Sequence, residues 1–263
     1  MESTDRRNAI VDMLKQNRFI KATDFVKMFN VSGETIRRDL EYLQSQDIVK
    51  RVYGGAVLSV EDNKIIGKVH RPHQDDMDAI GKAAADLILP GETVFLDCGM
   101  TVSSIARHLK GRSDITVVTS SLPVISELAD SDLTLITVGG IISSTDGDIH
   151  GDLAIECAKY FYCNKAFFSC SGFTPELGIM DYCSSYMTLH RQFYKRSDKY
   201  ILVADSSKFG KTSTMFICPT SNLDMIITDS GISEIYRQQL AEQNVELLIA
   251  DSSTKEIHYP ECN

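Results

Sequence analysis

Short apolar runs alternate with amphipathic stretches from residue 75 onward, and this alternation constrains the fold most. Runs without polar interruption are typical of strands buried on both faces of a sheet. The predicted strands are 93–96, 115–118, 133–138, 166–170, 200–204, 225–228 and 245–249, and predicted helices lie at 75–88, up to 109, through 127, and at 153–161, 186–195 and 233–243. Such alternation predicts an α/β domain with a mostly parallel sheet covered on both faces.

The length and composition suit a protein of two domains. Its 263 residues are 43% hydrophobic and 24% charged, as in ordinary globular proteins. No apolar run approaches the ~20 residues of a membrane span, and the polar N-terminus does not resemble a signal peptide. We therefore expect a cytoplasmic protein that does not interact with membranes. A charged, irregular stretch with Pro72 predicts a linker at 60–74, between domains at 1–59 and 75–263.

The charge is distributed unevenly along the chain. The net charge is −9, yet up to Ser59 there are ten Lys and Arg against eight Asp and Glu. The remainder carries seventeen basic against twenty-eight acidic residues. A mildly basic head on an acidic body is expected if only the head contacts nucleic-acid phosphates.

A helix with an arginine on its outer face is predicted between residues 32 and 43. Ile36, Leu40 and Leu43 recur with helical spacing and form one apolar face, with Ser32 as the N-cap. At about 100° per residue, Arg38 falls opposite that face. The alternative is a merely solvated charged face, because Glu34–Arg38 and Arg37–Glu41 are i,i+4 pairs.

The neighbouring segments favour DNA recognition by this helix. An amphipathic helix at 6–16 and a short helix at 22–29 precede it, and a tight turn at 30–32 leads into it. Two helices joined by such a turn are typical of a helix-turn-helix. Two apolar runs around Gly54-Gly55 then predict a hairpin with basic residues on its first strand. The sum is a winged helix-turn-helix.

The same residues resemble a known family of regulators. Thr35-Ile36-Arg37-Arg38-Asp39-Leu40, the preceding helix and Gly54-Gly55 are similar to the DNA-binding domain of DeoR-family bacterial repressors. The resemblance extends through the second domain. We predict that the following residues contact double-stranded operator DNA: Ser32, Glu34, Thr35, Arg37 and Arg38 on the helix, and Lys50, Arg51 and Tyr53 on the wing.

Small polar residues follow five successive predicted strands, where ligands of open parallel sheets bind. After the first strand, a Gly-containing loop with hydroxyl side chains runs into a helix, which provides the parts of an anion cradle. Such residues are also common as caps and turns, and a lysine there as a solvated loop residue. The predicted ligand-binding residues are Asp97, Gly99, Met100, Thr101, Ser103, Ser120, Ser121, Gly139, Gly140, Gly172, Asp205 and Lys208.

These positions also resemble the sensor domain of DeoR-family regulators. The similar motifs are Asp97-x-Gly99-x-Thr101, Thr119-x-Ser121, Gly139-Gly140 and 205–210. The resemblance implies a fold related to ribose-5-phosphate isomerases and CoA transferases, a phosphorylated sugar as effector, and a homo-oligomer, dimer or tetramer. Met100 stands where members often have Thr, and Ser120 where they often have Asn, which bears on the choice of effector.

Three functions remain after these observations. The first is a repressor of a carbohydrate-metabolism operon, relieved by a sugar phosphate, without catalytic residues, cofactor or metal. The second is a sugar-phosphate isomerase or acyl-transfer enzyme fused to the head, using Asp97, Asp205 and Lys208. The third replaces the effector with a redox signal at Cys98, whose thiol pKa a helix N-terminus could lower. The other cysteines, apart from Cys183, are expected to be small buried hydrophobes.

Overall fold

The computed structural model describes residues 3–16, 20–45, 48–52, 55–58, 73–143, 147–182, 184–251 and 257–258. The chain divides into two compact units, residues 1–71 and 72–263. Most of the predicted linker, at 60–72, lies outside the described residues. Its last two residues, His73 and Gln74, are described and stand at the beginning of a helix.

The first unit is a helical head with a small antiparallel sheet. Its elements are α1 (Ser3–Gln16), β1 (Ile20–Lys21), α2 (Ala22–Phe29), α3 (Gly33–Ser45), β2 (Val49–Val52) and β3 (Gly55–Leu58). The strands are ordered β1-β3-β2. Buried apolar side chains from all six elements form one core, with Ile10, Phe25, Ile36, Leu40 and Val49 among them. The predicted helices and hairpin are confirmed.

The hairpin register corrects the predicted turn. Val52 pairs with Gly55, so Gly55 is the first residue of β3 rather than part of a Gly-Gly turn. The two connecting residues, Tyr53 and Gly54, lie outside the described residues. The short strand β1 was not predicted, because two residues are too few to establish an alternating pattern.

The turn between α2 and α3 is built by local hydrogen bonds. Asn30 ends α2 in the left-handed region, at φ 50° and ψ 49°, and its backbone N–H donates to the Val26 carbonyl. Asparagine tolerates this conformation better than most residues. Ser32 Oγ then accepts a hydrogen bond from the Thr35 backbone N–H at 3.1 Å. The predicted N-cap of α3 is therefore confirmed.

A buried carboxylate joins α1 to α3. Asp39, 2% exposed, accepts hydrogen bonds from Arg6 Nε at 2.6 Å and from Arg7 Nε at 2.9 Å. The Arg7 guanidinium also lies over the Tyr42 ring, 3.9 Å from its centroid. Because Asp39 is turned inward, it joins the two helices and does not offer a contact at the surface.

The second unit is an α/β domain. Its helices are α4 (Gln74–Asp86), α5 (Met100–Leu109), α6 (Leu122–Leu128), α7 (Asp152–Ala158), α8 (Ser184–Tyr194) and α9 (Glu234–Glu242). Its strands are β4 (Thr93–Leu96), β5 (Thr116–Thr119), β6 (Thr134–Thr137), β7 (Ile141–Ile142), β8 (Ile149–His150), β9 (Cys163–Phe168), β10 (Gly172–Thr174), β11 (Gly178–Asp181), β12 (Ser197–Val203), β13 (Met215–Cys218), β14 (Met225–Asp229), β15 (Glu246–Ala250) and β16 (Ile257–His258).

The main sheet has eight strands in the order β16-β15-β14-β12-β9-β4-β5-β6. Its pairs are parallel except β15 with β16. Along β4, Phe95 packs into the core on one face of the sheet, and Val94 and Leu96 pack into the core on the other. The predicted mostly parallel sheet, covered on both faces, is confirmed.

Two strand boundaries and several short strands differ from the prediction. The strand expected at 200–204 spans Ser197–Val203, and β16 was not predicted. The strand expected at 166–170 spans Cys163–Phe168. The prediction missed its start because polar Asn164 and Lys165 interrupt the apolar run. Lys165 forms an ion pair with Glu92. The β7–β8 hairpin and the antiparallel sheet β10-β11-β13 were not predicted, since their strands have only two to four residues.

Among the residues that the structure describes, no helix is both long enough and apolar enough to cross a membrane.

Candidate nucleic-acid interface and ligand crevice

The outer face of α3 carries two arginines that differ in their surroundings. Arg37 donates to both carboxylate oxygens of Glu34, at 2.7 and 2.8 Å, and to Glu41 at 2.5 Å. The Arg37 guanidinium, with a smaller contribution from Arg38, lowers the pKa of Glu34 to about 2. The Arg38 side chain is 74% exposed and donates only one longer bond, from Nε to Glu34 at 3.2 Å. Arg38 is therefore the more available of the two guanidinium groups.

The other predicted DNA-contacting residues have mixed placements. The Ser32 and Thr35 hydroxyls lie 2.8 Å apart at the start of α3, where Ser32 also caps the helix. Lys50 is exposed on β2. Arg51 belongs to β2, but its side chain and all of Tyr53 lie outside the described residues. The helix therefore offers one well-exposed cation, and the hairpin offers at least Lys50.

The strand order of the second unit reverses next to β4. From β4 the chain proceeds through β5 and β6 on one side, and then crosses to β9, β12, β14 and β15 on the other. A crevice is expected at the carboxyl ends of the strands flanking such a reversal. The loops after β4 and β9 meet there: a Cβ on Gly99 would lie 3.0 Å from the Ser169 Cβ. Helix α5 begins beside this contact, at half-exposed Met100.

The serines and threonine predicted for the site are buried or bonded within the fold. Thr101 is buried, and Ser103 Oγ donates to the Gly99 carbonyl at 2.9 Å. Ser121 Oγ accepts from the Val124 backbone N–H and caps α6. Ser120 is buried, and its carbonyl accepts from the Ile149 N–H at 2.7 Å. The structure brings the backbone of these loops to one edge, while most of their hydroxyls already have partners.

Close approach of backbone atoms explains two of the three predicted glycines in these loops, Gly140 and Gly172. Gly140 has φ +149°, and a Cβ there would lie 2.4 Å from the His150 carbonyl oxygen. A Cβ on Gly172 would lie 2.5 Å from the Lys211 carbonyl oxygen. At Gly139 the nearest atom is a Leu153 methyl carbon at 3.3 Å, which is a tolerable distance. Two of the three glycines are therefore required by packing.

Asp205 and Lys208 lie together after β12 but differ in role. Asp205 is buried, and its Oδ1 accepts from the Ser207 backbone N–H at 3.1 Å, so it caps a short 3-10 helix at Ser206–Lys208. Lys208 is half-buried, and among the described residues its ammonium has no ion-pair partner. Its charge acts to lower the pKa of nearby Cys170, although burial raises that pKa to about 12 overall.

A buried histidine–carboxylate pair was missed by the sequence analysis. His190 on α8 and Asp97 after β4 are 1% and 4% exposed, and His190 Nε2 lies 2.6 Å from Asp97 Oδ2. The other polar atom of each side chain, Asp97 Oδ1 and His190 Nδ1, is buried without a partner in the described structure. The only sequence indication was a polar residue among the apolar positions of a helix, between Leu189 and Phe193.

A second buried carboxyl group lies near this pair. Asp181 at the end of β11 accepts hydrogen bonds from Ser171 Oγ at 2.8 Å and from the Tyr182 N–H at 2.7 Å. Burial raises its pKa, the charge of Asp97 adds to that shift, and the two hydrogen bonds oppose it. Three titratable side chains thus share the end of the sheet where β4 and β9 end.

The surroundings of Cys98 contradict a lowered thiol pKa. Burial, followed by the charge of Asp97, raises the pKa of Cys98 well above its ordinary value, although the side chain retains some exposure. The Sγ atom lies 3.8 Å from Ser120 Oγ. Cys183, the other candidate thiol, lies outside the described residues. The redox hypothesis at Cys98 was therefore wrong in its physical premise.

A separate cavity of about 370 Å³ lies between α8 and β13. His190 forms part of its wall, but no residue of the predicted ligand site does. Tyr194, Tyr200, Phe216 and Cys218 line much of the rest. Neither Lys208 nor the first turn of α5 lines this cavity.

The comparisons with known proteins identify the family of both units. Residues 6–61 match the DeoR-like helix-turn-helix domain, and residues 73–230 match the DeoR C terminal sensor domain. The HTH-type transcriptional regulator GolR of Listeria innocua is 32% identical over 94% of this chain and 98% of that protein. The Glycerol-3-phosphate regulon repressor of Escherichia coli is 28% identical over 94% of this chain and 99% of that protein.

A solved structure of ribose 5-phosphate isomerase A from Methanocaldococcus jannaschii aligns over 52% of this chain and 55% of that chain, with 14% identity and a TM-score of 0.40. That similarity is too low for individual residues to be compared. The family matches and the relatives of nearly full length carry the assignment instead. This chain belongs to the DeoR family of transcriptional regulators, with a helix-turn-helix head followed by a DeoR sensor domain.

Proposed function

We propose that this protein is a sequence-specific DNA-binding repressor of a carbohydrate-metabolism operon, released from its operator when a phosphorylated sugar binds the sensor domain. The observation that carries the proposal is the Lys208 ammonium, which follows β12 and has no ion-pair partner among the described residues. It supplies a positive charge in a domain whose overall charge is strongly negative. A relative that is a repressor by name supports the direction of regulation.

The exposed face of α3 supports major-groove recognition. Arg38 is the guanidinium least occupied by neighbouring carboxylates, and arginine commonly reads guanine edges. Arg37 is held by Glu34 and Glu41, so we assign it to phosphate contact or to orienting Arg38. Ser32, Thr35, Lys50, Arg51 and Tyr53 complete the proposed surface. Contacts of the hairpin residues with phosphate would position the duplex without reading its sequence.

The sensor crevice supports an anionic ligand. Helix α5 begins at Met100, so its first turn presents backbone N–H groups at the positive end of the helix dipole. Gly99 allows close approach of a ligand to the backbone, and Lys208 adds a full positive charge. We propose that Gly99, Met100, Thr101, Ser103 and Lys208 hold the phosphate. Asp97 and Ser120 then face the remainder of the ligand, and Ser121, Gly139, Gly140, Gly172 and Asp205 shape the loops around it.

Operator binding tests the head. Binding of operator and random duplexes, measured by fluorescence anisotropy at fixed salt, should separate two classes of residue. Arg38→Ala is expected to reduce specific binding more than random binding, because it removes a base contact worth about 1–3 kcal/mol. Lys50→Ala is expected to weaken both alike and to lower the salt dependence by about one ion. An equal loss on both duplexes for Arg38→Ala refutes its reading role.

Release by phosphorylated sugars tests the sensor. Each phosphorylated sugar is compared with its unphosphorylated parent in the same anisotropy assay. We expect one sugar phosphate, but not its parent, to release the operator, and Lys208→Ala to weaken that response. Exposed Lys211 is the matched control, since Lys211→Ala removes the same charge three residues away. By linkage, the operator must weaken effector binding by the same factor. Failure of every sugar phosphate refutes the effector class.

An exposed apolar group supports self-association of the sensor domain. Ile141, Ile142 and Leu153 are 66%, 59% and 64% exposed. Contiguous apolar surface of this kind is often buried in an interface. We propose a homo-oligomer, a dimer or tetramer, that buries this group. Light scattering after size-exclusion chromatography should give a molar mass that is a multiple of 29.3 kDa, and Ile142→Lys should lower that molar mass. A monomeric wild type refutes this.

An enzyme remains a second candidate because of His190 and Asp97. A buried imidazole bonded to a carboxylate can act as a general base. We nevertheless propose a non-enzymatic sensor, since the relatives reported above are regulators or repressors by name. Asp205, the base considered from sequence, already caps a helix. Aldose–ketose conversion by pure protein that is lost in His190→Gln would favour the enzyme.

A further inference from the structure

We propose that the Asp97–His190 pair is the part of the sensor site that reads the hydroxyl or amino groups of the effector, so that His190 is a ligand-contacting residue. This inference rests on the proposed function, which supplies a phosphorylated sugar as the ligand. It adds a residue that no sequence motif indicated. It also fixes which end of the ligand meets which wall of the crevice.

The bond between the two side chains determines which atoms remain available. His190 Nε2 lies 2.6 Å from Asp97 Oδ2, and a carboxylate can only accept. The imidazole proton is therefore on Nε2, which donates to Asp97. In the neutral imidazole, Nδ1 is then an acceptor, and Asp97 Oδ1 is a second acceptor.

Both of these acceptors are buried and unsatisfied. Asp97 Oδ1 and His190 Nδ1 have no hydrogen-bond partner among the residues that the structure describes. Burial of polar atoms without partners is unfavourable, and most buried polar atoms in proteins have partners. Two such atoms on one hydrogen-bonded pair indicate a place where a ligand supplies the donors.

The pair is held in the crevice from both sides. Asp97 directly follows β4, and the His190 ring packs against Phe168 at the end of β9, with centroids 4.3 Å apart. These are the two strands at which the strand order reverses. Asp181 faces the pair from β11, with Ser171 bonded to it. The imidazole is therefore oriented by contacts that do not depend on a ligand.

The chemistry of the two acceptors orients the effector. A phosphate dianion offers no donors and is repelled by the carboxylates of Asp97 and Asp181, so it cannot occupy the pair. Hydroxyl and amino groups can donate to both free atoms. The phosphate therefore lies toward Lys208 and the first turn of α5, and the donor-bearing carbons lie toward Asp97 and His190. A deoxy analogue that lacks one of these donors leaves a buried acceptor unpaired and binds more weakly.

Two substitutions at position 190 separate ligand contact from structural support. In His190→Gln the side-chain amide can still donate to Asp97 Oδ2, but the acceptor at Nδ1 is lost. In His190→Asn an acceptor remains near the Nδ1 position, but the bond to Asp97 is lost. His108→Gln is the matched control, because His108 is bonded to Asp78 on the protein surface, outside the crevice.

Calorimetric titration of the full-length protein tests the proposal. The ligands are inorganic phosphate, ribose 5-phosphate, glucose 6-phosphate, glucosamine 6-phosphate and fructose 6-phosphate, with 2-deoxyribose 5-phosphate and 2-deoxyglucose 6-phosphate as analogues. For the sugar phosphate that binds most tightly, His190→Gln is expected to weaken binding about five- to tenfold. The same variant should leave inorganic phosphate binding unchanged. Lys208→Ala should weaken both, and His108→Gln neither.

The outcomes separate this inference from the proposed function. Wild-type affinity for the sugar phosphate in folded His190→Gln overturns the inference alone, and so does an equal loss for phosphate and sugar phosphate. Binding by none of the sugar phosphates overturns the proposed function, and the inference with it. If His190→Gln does not fold, His190→Asn and the deoxy analogues on wild-type protein decide. A loss of affinity for the sugar phosphate but not for inorganic phosphate in folded His190→Asn, or weaker binding of a deoxy analogue by the wild type, supports the contact, and a wild type that binds every deoxy analogue as tightly as its parent overturns it.

Discussion

Replacing Asp39 by Asn should destabilise the head while leaving the sensor domain intact. Asp39 is 2% exposed and accepts from Arg6 and Arg7 of α1, whose side chains are 9% and 25% exposed. Asn has the same shape but carries no charge, so the ion pairs of Arg6 and Arg7 with this buried carboxylate are lost. Glu41→Gln on the same helix is the matched control, because it removes an equal charge from an exposed ion pair.

The expected size of the effect follows from burial. Removing one partner of a buried ion pair costs about 3–5 kcal/mol, and we take about 3 because the partly exposed Arg7 is screened by solvent. A head of roughly 60 residues has a total stability of about 3–9 kcal/mol. A domain of this size loses about 4–8 °C in midpoint per kcal/mol, so the head should melt at least about 12 °C lower.

Scanning calorimetry and hydrogen exchange of the full-length protein provide the measurement. One transition should fall by this amount, and peptides from α1 and α3 should lose protection, while peptides from the main sheet stay protected. Operator binding should fall with the folded fraction of the head. If Asp39→Asn moves the transition no more than Glu41→Gln does, the buried pair does not hold α1 to α3 and the reasoning is refuted.

Three further predictions concern the sensor domain. Gly140→Ala should lower the free energy of unfolding by more than about 2 kcal/mol, because its Cβ would lie 2.4 Å from the His150 carbonyl oxygen. Gly139→Ala should change the free energy of unfolding little. Equal effects of the two substitutions in thermal melts would contradict this prediction. Because burial raises the pKa of Asp181, the native state binds its proton more tightly than the unfolded state, so this group's contribution to stability falls as the pH rises from 3.8 through the raised pKa. Asp181→Asn should remove this fall in stability with rising pH. If the thermal midpoints of wild type and variant change in parallel from acid to neutral pH, Asp181 makes no such contribution. With pKa values of about 12, Cys163 and Cys170 should have about a thousandfold less thiolate than free thiols at pH 8, so iodoacetamide should label them far more slowly in native than in urea-unfolded protein, as read by mass spectrometry.

The sheet could be predicted because its strands are buried on both faces. Val94, Phe95 and Leu96 are all buried, so the run has no polar interruption and reads directly as a central strand. The same rule explains the misplaced start of β9, where Lys165 forms an ion pair with Glu92, the residue before β4. Periodicity reports the environment of neighbouring residues, and it fails where a polar side chain finds a partner distant in sequence.

The roles of the predicted site residues divide along the same line. Motif residues of the crevice loops were found at the edge expected for them, but the packing against Gly140 and the cap made by Asp205 are local requirements of the fold. Such requirements produce the same small polar residues that a ligand would select, so a sequence cannot separate the two causes. The free Lys208 ammonium is different, because nothing in the described fold needs its charge.

Asp97 and His190 show why a site can be located from sequence while its chemistry is missed. Asp97 was found because it follows a strand, a property of adjacent residues. Its partner is 93 positions away on α8, and neither residue type nor helical spacing distinguishes His190 from an ordinary core histidine. Only the strand order, which brings β4 beside β9 and so beneath α8, makes them neighbours. The unsatisfied atoms of the pair then become visible, and it is these atoms, rather than the motif, that define what the ligand must donate.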